Sequence, residues 1–139
     1  MLNVYAIPRW VDVDAPCYLL DLPGYGYARA SKAERVAFGG LLRYTIVRPG
    51  LAGVVWLLDI RREPSDDDRA MQEAFARQGT RVLAAFTKGD KVPRGRRLNR
   101  ERELATVLAL DADQTIVTSA KTGDGILELR EAIAALLGG

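Results

Sequence analysis

The chain has no histidine and only one cysteine, Cys17, in 139 residues. Without histidine the commonest general base is missing, which removes Ser-His-Asp and Cys-His schemes and any His-ligated zinc site. A lone cysteine cannot form an intrachain disulfide, and at the start of an apolar run it reads as a half-buried thiol. Net charge is also small. Twenty basic residues against eighteen acidic ones leave +2, which neither calls for nucleic acid nor excludes it. No apolar stretch approaches the roughly 20 residues of a membrane span, and nothing near Met1 resembles a secretion signal. A cytoplasmic protein with no membrane contact is the expectation. No repeat, low-complexity tract or linker interrupts the chain. Apolar residues are what it does have, at 48%. That is enough for one packed core, so residues 1–139 are read as a single domain.

Hydrophobic periodicity divides the chain into alternating elements. Leu2 to Val11 and Cys17 to Leu22 read as strands of an antiparallel hairpin, turning at Asp12 to Pro16. Ser31 and Glu34 have capping-box spacing ahead of a helix buried through Phe38, Leu41, Leu42 and Thr45 and weakened by Gly39 and Gly40. Gly53 to Ile60 (GVVWLLDI) is nearly all apolar, as a strand buried on both faces of a parallel sheet would be. Ser65 with Asp68 opens a helix buried through Met71, Ala74 and Phe75 and stopped by Gly79. Then follow a strand at Arg81 to Phe86, a helix at Asn99 to Leu110 buried through Leu104, Val107 and Leu108, and a short strand at Thr115 to Thr118. Ile126, Leu129, Ile133 and Leu137 mark a closing helix. The alternation predicts an α/β sandwich with a mostly parallel sheet and ligands at the carboxyl ends of its strands.

Three short motifs fall at such strand ends. In Asp21-Leu22-Pro23-Gly24, a carboxylate ending a strand can hold Mg²⁺ through water, and a following glycine lets its N–H approach a phosphate closely. Taken alone, this is more often an ordinary turn. In Thr87-Lys88-Gly89-Asp90, a rigid carboxylate can accept the N1–H and N2 amino protons of guanine, a donor pair that adenine lacks. The Lys88 stem can lie along the base plane. Alone, a polar strand exit explains this motif equally well. In Thr118-Ser119-Ala120-Lys121, small residues can bring a backbone N–H to guanine O6, and here a turn into the next helix is the simpler reading. No residue stands out as a catalytic acid, base or nucleophile.

Together, DLPGYGYA, TKGDK and the Ser-Ala-Lys turn resemble the EngB family of bacterial GTPases over nearly the whole chain. The resemblance implies a three-layer P-loop GTPase fold, and Leu2 to Tyr5 look like the strand that follows the family's switch-I threonine. It implies GTP or GDP bound with Mg²⁺, with Asp21 at the metal. Asp21, Leu22, Pro23 and Gly24 would face Mg²⁺ and the γ-phosphate, while Thr87, Lys88, Gly89, Asp90, Thr118, Ser119 and Ala120 would face the base. It also implies a role in large ribosomal subunit assembly, linked to division septum formation, with that subunit or its RNA as partner.

The departure from the family pattern is large. No G-x-x-x-x-G-K-[ST] loop occurs anywhere in the 139 residues, so the phosphate-cradling N–H groups, the phosphate lysine and the Mg²⁺-binding hydroxyl have no counterpart. The family's first strand, first helix and switch-I threonine have none either. Residues 1–139 would then be a partial G-domain with a gap inside its sheet, impaired in nucleotide binding and poorly folded alone. The expectation is that in-frame coding sequence ahead of Met1 supplies the loop. The alternative is a nucleotide-free interaction module or an inactive gene fragment. Tyr25 stands where many GTPases place a water-orienting glutamine, and Tyr25 and Tyr27 could stack on a partner or pack against the next helix. Lys91 to Arg102 holds six basic residues and one acidic one. It is readable as an RNA-contacting patch or, equally, as a solvated loop and first helical turn.

Overall fold

The computed structural model describes residues 2–10, 13, 15–22, 24 and 31–138. Val11, Asp12, Asp14, Pro23, Tyr25 and Tyr27, on which several expectations fall, lie outside the described residues. Strand β1 (Asn3–Ile7) pairs antiparallel with β2 (Cys17–Asp21), as the hairpin reading requires, with Asn3 opposite Asp21 and Ile7 opposite Cys17. β1 is shorter than expected because Pro8 has no N–H to continue the ladder. Beyond it Trp10 forms an isolated antiparallel bridge with Val13.

Three further strands, β3 (Val54–Asp59), β4 (Val82–Thr87) and β5 (Thr115–Val117), form a parallel sheet in the order β3-β4-β5. Among the described residues, five strands therefore lie in two sheets, and β3 pairs with β4 alone. The helices are α1 (Lys32–Ile46), α2 (Asp66–Gln78), α3 (Arg94–Val107) and α4 (Ile126–Gly138). On one sheet face Trp56, Val82, Ala84 and Phe86 pack with Leu42 and Ile46 of α1, Met71 and Phe75 of α2, and Leu104, Ala105 and Leu108 at α3. Trp56 meets Phe75 edge-on, at 5.5 Å between ring centroids, an arrangement the ring quadrupoles favour. The other face carries α4, with Leu136 against Gly53 at the start of β3.

Two helix starts follow the sequence closely. The Ser31 hydroxyl accepts the Glu34 N–H at 3.1 Å. Ser65 and Asp68 form the full reciprocal cap, with Ser65 Oγ accepting the Asp68 N–H and Asp68 Oδ2 accepting the Ser65 N–H at 2.8 Å. Gly79 ends α2 at φ 66°, a conformation open to glycine without strain.

Other expectations are corrected. α3 begins at Arg94 rather than Asn99, because the fixed φ of Pro93 already suits a helix entry and the arginines that follow are good helix formers. It ends at Val107, and Ala105 rather than Val107 is buried on its inner face. β3 is not buried on both faces: Leu57 is 64% exposed. No residue of α4 is fully buried among those described, so its apolar stripe is only half covered.

Candidate functional site

β4 and β5 end side by side, and the loops leaving them are tied together. Thr118 N–H donates to the Phe86 carbonyl at 2.8 Å, and Gly89 N–H donates to the Thr118 carbonyl at 2.9 Å. That approach requires glycine. A Cβ at position 89 would stand 2.7 Å from Val117 Cγ1 and 3.2 Å from the Thr118 oxygen. Lys88 lies at φ 60°, which turns the chain sharply from β4 into the short helical turn Gly89–Lys91.

This turn carries Asp90 to Ser119, whose hydroxyl donates to Asp90 Oδ1 at 2.8 Å. Ser119 is 0% exposed and fixed on all sides. Its N–H donates to the Asp124 carbonyl at 2.9 Å, its carbonyl accepts from Gly123 N–H at 2.8 Å, and its hydroxyl accepts from Thr122 N–H at 3.2 Å. With that acceptance filled, the hydroxyl proton points at Asp90. The bond from Ser119 holds the Asp90 carboxyl below its ordinary range, and Lys91 and Lys121 add to the effect. Asp90 is thus an ionised acceptor on a rigid mount, with Ser119 the one side chain hydrogen-bonded to it among the described residues.

Six of the seven residues expected to face the base lie together here. Thr87 ends β4 and its hydroxyl reaches toward the Leu58 carbonyl at 3.4 Å. Lys88, Gly89 and Asp90 form the turn, and Thr118 and Ser119 are buried at its side. Ala120 follows Ser119 at the exposed start of the next turn. The first motif stands apart: Asp21 ends β2 in the other sheet, and among the described residues no hydrogen bond or ion pair joins Asp21, Leu22 or Gly24 to the two loops. Leu22 instead packs against the core.

Sequence reading missed a third loop. Asp59 ends β3 directly opposite Thr87, and its carboxylate accepts from Arg61 three times: backbone N–H at 2.9 Å, Nε at 3.1 Å and Nη2 at 2.9 Å. Lys88 Nζ lies 3.6 Å from the same carboxylate. The Asp59 side chain is only 13% exposed, and the Arg61 hydrogen bonds hold its carboxyl far below the usual carboxylate range, with Lys88 adding to them against the opposing effect of burial. A single aspartate closing an apolar strand was the only signal in the sequence.

Half of the basic run is spent on contacts within the molecule. Arg94 Nη2 and Arg97 Nη1 both donate to Asp124 Oδ2 at 3.1 Å, bracing the loop that holds Ser119. Arg100 braces the loop after β3, donating to the Ile60 carbonyl at 2.8 Å and the Arg62 carbonyl at 3.0 Å and pairing with Glu63 at 2.9 Å. Lys91, Arg96 and Arg102 remain exposed. A shallow, mainly apolar concavity lined by Arg81, Leu83, Asp113, Gln114 and Leu136 lies at the other end of the strands, away from the Asp90 and Ser119 loops.

The depressed Asp59 carboxyl has a definite consequence for stability. A carboxyl that loses its proton more readily folded than unfolded stabilises fully above its unfolded value, near pH 4, and that contribution is lost as pH falls below it. The melting temperature should therefore hold from pH 7 to about pH 5 and drop below about pH 4. In Asp59→Asn it should be lower at pH 7 and fall less steeply in acid. An acid limb identical in slope to wild type would exclude Asp59 from the effect.

Comparison with known proteins gives the site a context. The chain is 43% identical over 130 residues to a probable GTP-binding protein EngB of Gemmatimonas aurantiaca, which covers 93% of the chain and 64% of that protein. It is 38% identical over 135 residues to the probable EngB of Lactococcus lactis, covering 96% of the chain and 66% of that protein. The chain belongs to the EngB family. It spans about two thirds of the length of these EngB relatives. A crystal structure of a probable EngB GTP-binding protein superposes with a TM-score of 0.73 at 18% identity, over 86% of this chain and 76% of that one. The FeoB G-domain of Methanococcus jannaschii gives 0.59 at 19% identity, over 99% and 80%. At those identities the likeness concerns fold alone, and the fold is that of P-loop GTPases. No protein-family model matches the chain.

Proposed function

We propose that this chain is the guanine-reading part of a GTP-binding GTPase. The observation that carries the reading is Asp90, fixed by the Ser119 hydroxyl at 2.8 Å where two parallel strands end together. An ionised carboxylate mounted this way presents acceptors to the N1–H and N2 amino group of guanine, and adenine leaves it unpaired. The stem of Lys88 would lie along the base, Gly89 lets the two loops close, and the backbone N–H of Ala120 would meet O6, with Thr87, Thr118 and Ser119 shaping the walls.

The metal end fits less fully. Among the described residues no group of three acidic, His or Cys side chains could hold an ion by itself. Asp21 therefore offers one carboxylate for Mg²⁺, and water and phosphate oxygens would have to complete the octahedron. When bound, Mg²⁺ would neutralise phosphate charge. Leu22, Pro23 and Gly24 would form the approach to the γ-phosphate. With no phosphate loop in the 139 residues, the chain's affinity for nucleotide should be weak and hydrolysis absent.

The wider role we infer is assembly of the large ribosomal subunit in the cytoplasm, with a linked effect on septum formation. The support is family membership and the exposed cations Lys91, Arg96 and Arg102, which could contact RNA phosphates. No described helix is long and apolar enough to cross a membrane.

Calorimetric titration with GDP and ADP tests the reading. Weak binding that favours GDP is expected, with no Mg²⁺-dependent release of phosphate from GTP. Equal affinity for GDP and ADP would refute the assignment of the base site, and tight GDP binding would show that other groups hold the phosphates.

A further inference from the structure

Two cations on the neighbouring strand ends form no hydrogen bond or ion pair with the Asp90 carboxylate among the described residues. Arg61 is one: the charge on Asp90 acts on its guanidinium through space, yet its hydrogen bonds go to Asp59. Lys88 is the other. It lies two residues before Asp90 in the same turn, yet its Nζ is turned to Asp59 Oδ2 at 3.6 Å. The cations that do depress Asp90 are Lys91 and Lys121, acting at a distance. Guanidinium and ammonium groups seek the nearest carboxylate. A carboxylate serving as acceptor for a neutral base is useless while an arginine fork occupies it. Asp59 is well placed to prevent this, since it ends the strand next to β4, is mostly buried, and is set opposite Thr87 by the sheet register.

We propose that Asp59 is a positioning residue for base recognition: it holds Arg61 and Lys88 at the end of β3 and so keeps the Asp90 carboxylate open to the N–H donors of a purine. The proposal rests on the base-site reading above for its ligand, but its physical core, the partition of two cations between two carboxylates, is measurable without any ligand. Arg100 serves the same end from behind, since its bonds to the Ile60 and Arg62 carbonyls fix the backbone on either side of Arg61.

The test follows the Asp90 side-chain carboxyl by ¹³C NMR titration in the ligand-free chain. In Asp59→Asn the freed Arg61 moves to Asp90, so the Asp90 midpoint falls below its wild-type value. In Asp59→Asn/Arg61→Ala at least half of that fall is recovered. Asp59→Glu, which keeps the charge, stays with wild type. No fall in Asp59→Asn, or a fall that Arg61→Ala leaves untouched, overturns the proposal. Arg61→Ala alone guards against an Asp59 variant that does not fold. It should raise the Asp90 midpoint only slightly, through loss of the through-space attraction, and a rise as large as the fall in Asp59→Asn would show that Arg61 already pairs with Asp90, which also overturns the proposal.

GMP affinity supplies the functional arm. It should fall about three- to five-fold in Asp59→Asn, the upper range for competition by an exposed ion pair, and return in the double variant. Should wild type fail to prefer GMP over AMP, the base-site reading falls, while the Asp90 titration still decides whether Asp59 partitions the cations.

Discussion

Asp90→Asn should reverse the purine preference of the chain from guanine to xanthine. The carboxylate of Asp90, held ionised by Ser119, has only acceptors to offer, and guanine has two donors to fill them. An amide keeps one acceptor and adds a donor. It loses one good bond to guanine and points its NH₂ at the guanine amino group, whereas in xanthine an oxygen stands there and the pairing is restored. Hydrogen bonds to a charged acceptor are worth about 1.5–3 kcal/mol each. The ratio of GMP to XMP affinity should therefore change on the order of 100-fold or more. NMR titration with the two monophosphates reads this ratio even where absolute binding is weak. A ratio unchanged from wild type would remove Asp90 from the site.

Gly125→Ala should be the most damaging single-atom addition in the described chain. Gly125 has φ 75°, and a Cβ there would overlap the carbonyl oxygen of Val117, the last residue of β5, while also lying 3.3 Å from Thr118 Cα. The methyl group cannot be accommodated by turning a side chain, because both obstacles are backbone. The strand end would have to move, and with it Thr118 and Ser119, on which Asp90 depends. A loss of about 3 kcal/mol or more is expected, combining left-handed strain with a backbone clash. Gly123→Ala is the control. Its φ is 83°, but the space around it is open, so only the conformational penalty of about 1–2 kcal/mol applies. Urea unfolding of the two variants compares them directly, and a Gly125→Ala midpoint no lower than that of Gly123→Ala would defeat the argument. The same variant should weaken guanine binding even under conditions where it remains folded, since the Ser119 hydroxyl would no longer meet Asp90.

The sequence by itself determined the order and kind of the elements. Caps, glycines and apolar spacing are local signals, and they located α2 between Ser65 and Gly79, the hairpin at its Cys17 strand, and the buried β4. Sequence also picked out the loop residues Thr87 to Asp90 and Thr118 to Ala120, because a carboxylate or a small residue just beyond an apolar strand is visible in one dimension. Tertiary structure alone decided what those residues meet. Nothing in the spacing of Ser119 and Asp90, 29 residues apart, shows that the hydroxyl of one orients the carboxylate of the other; that follows from β4 and β5 being parallel neighbours. The arginines of α3 looked like one free basic run, yet Arg97 and Arg100 are drawn inward to Asp124 and to the turn after β3, and Arg94 joins Asp124 from an exposed position, since charge pairing depends on distance through space. Leu57 looked buried from its apolar strand and is exposed, because burial depends on which helix covers which face. Asp59 carried no motif at all, and its hold on Arg61 and Lys88 exists only because the sheet register sets it beside Thr87.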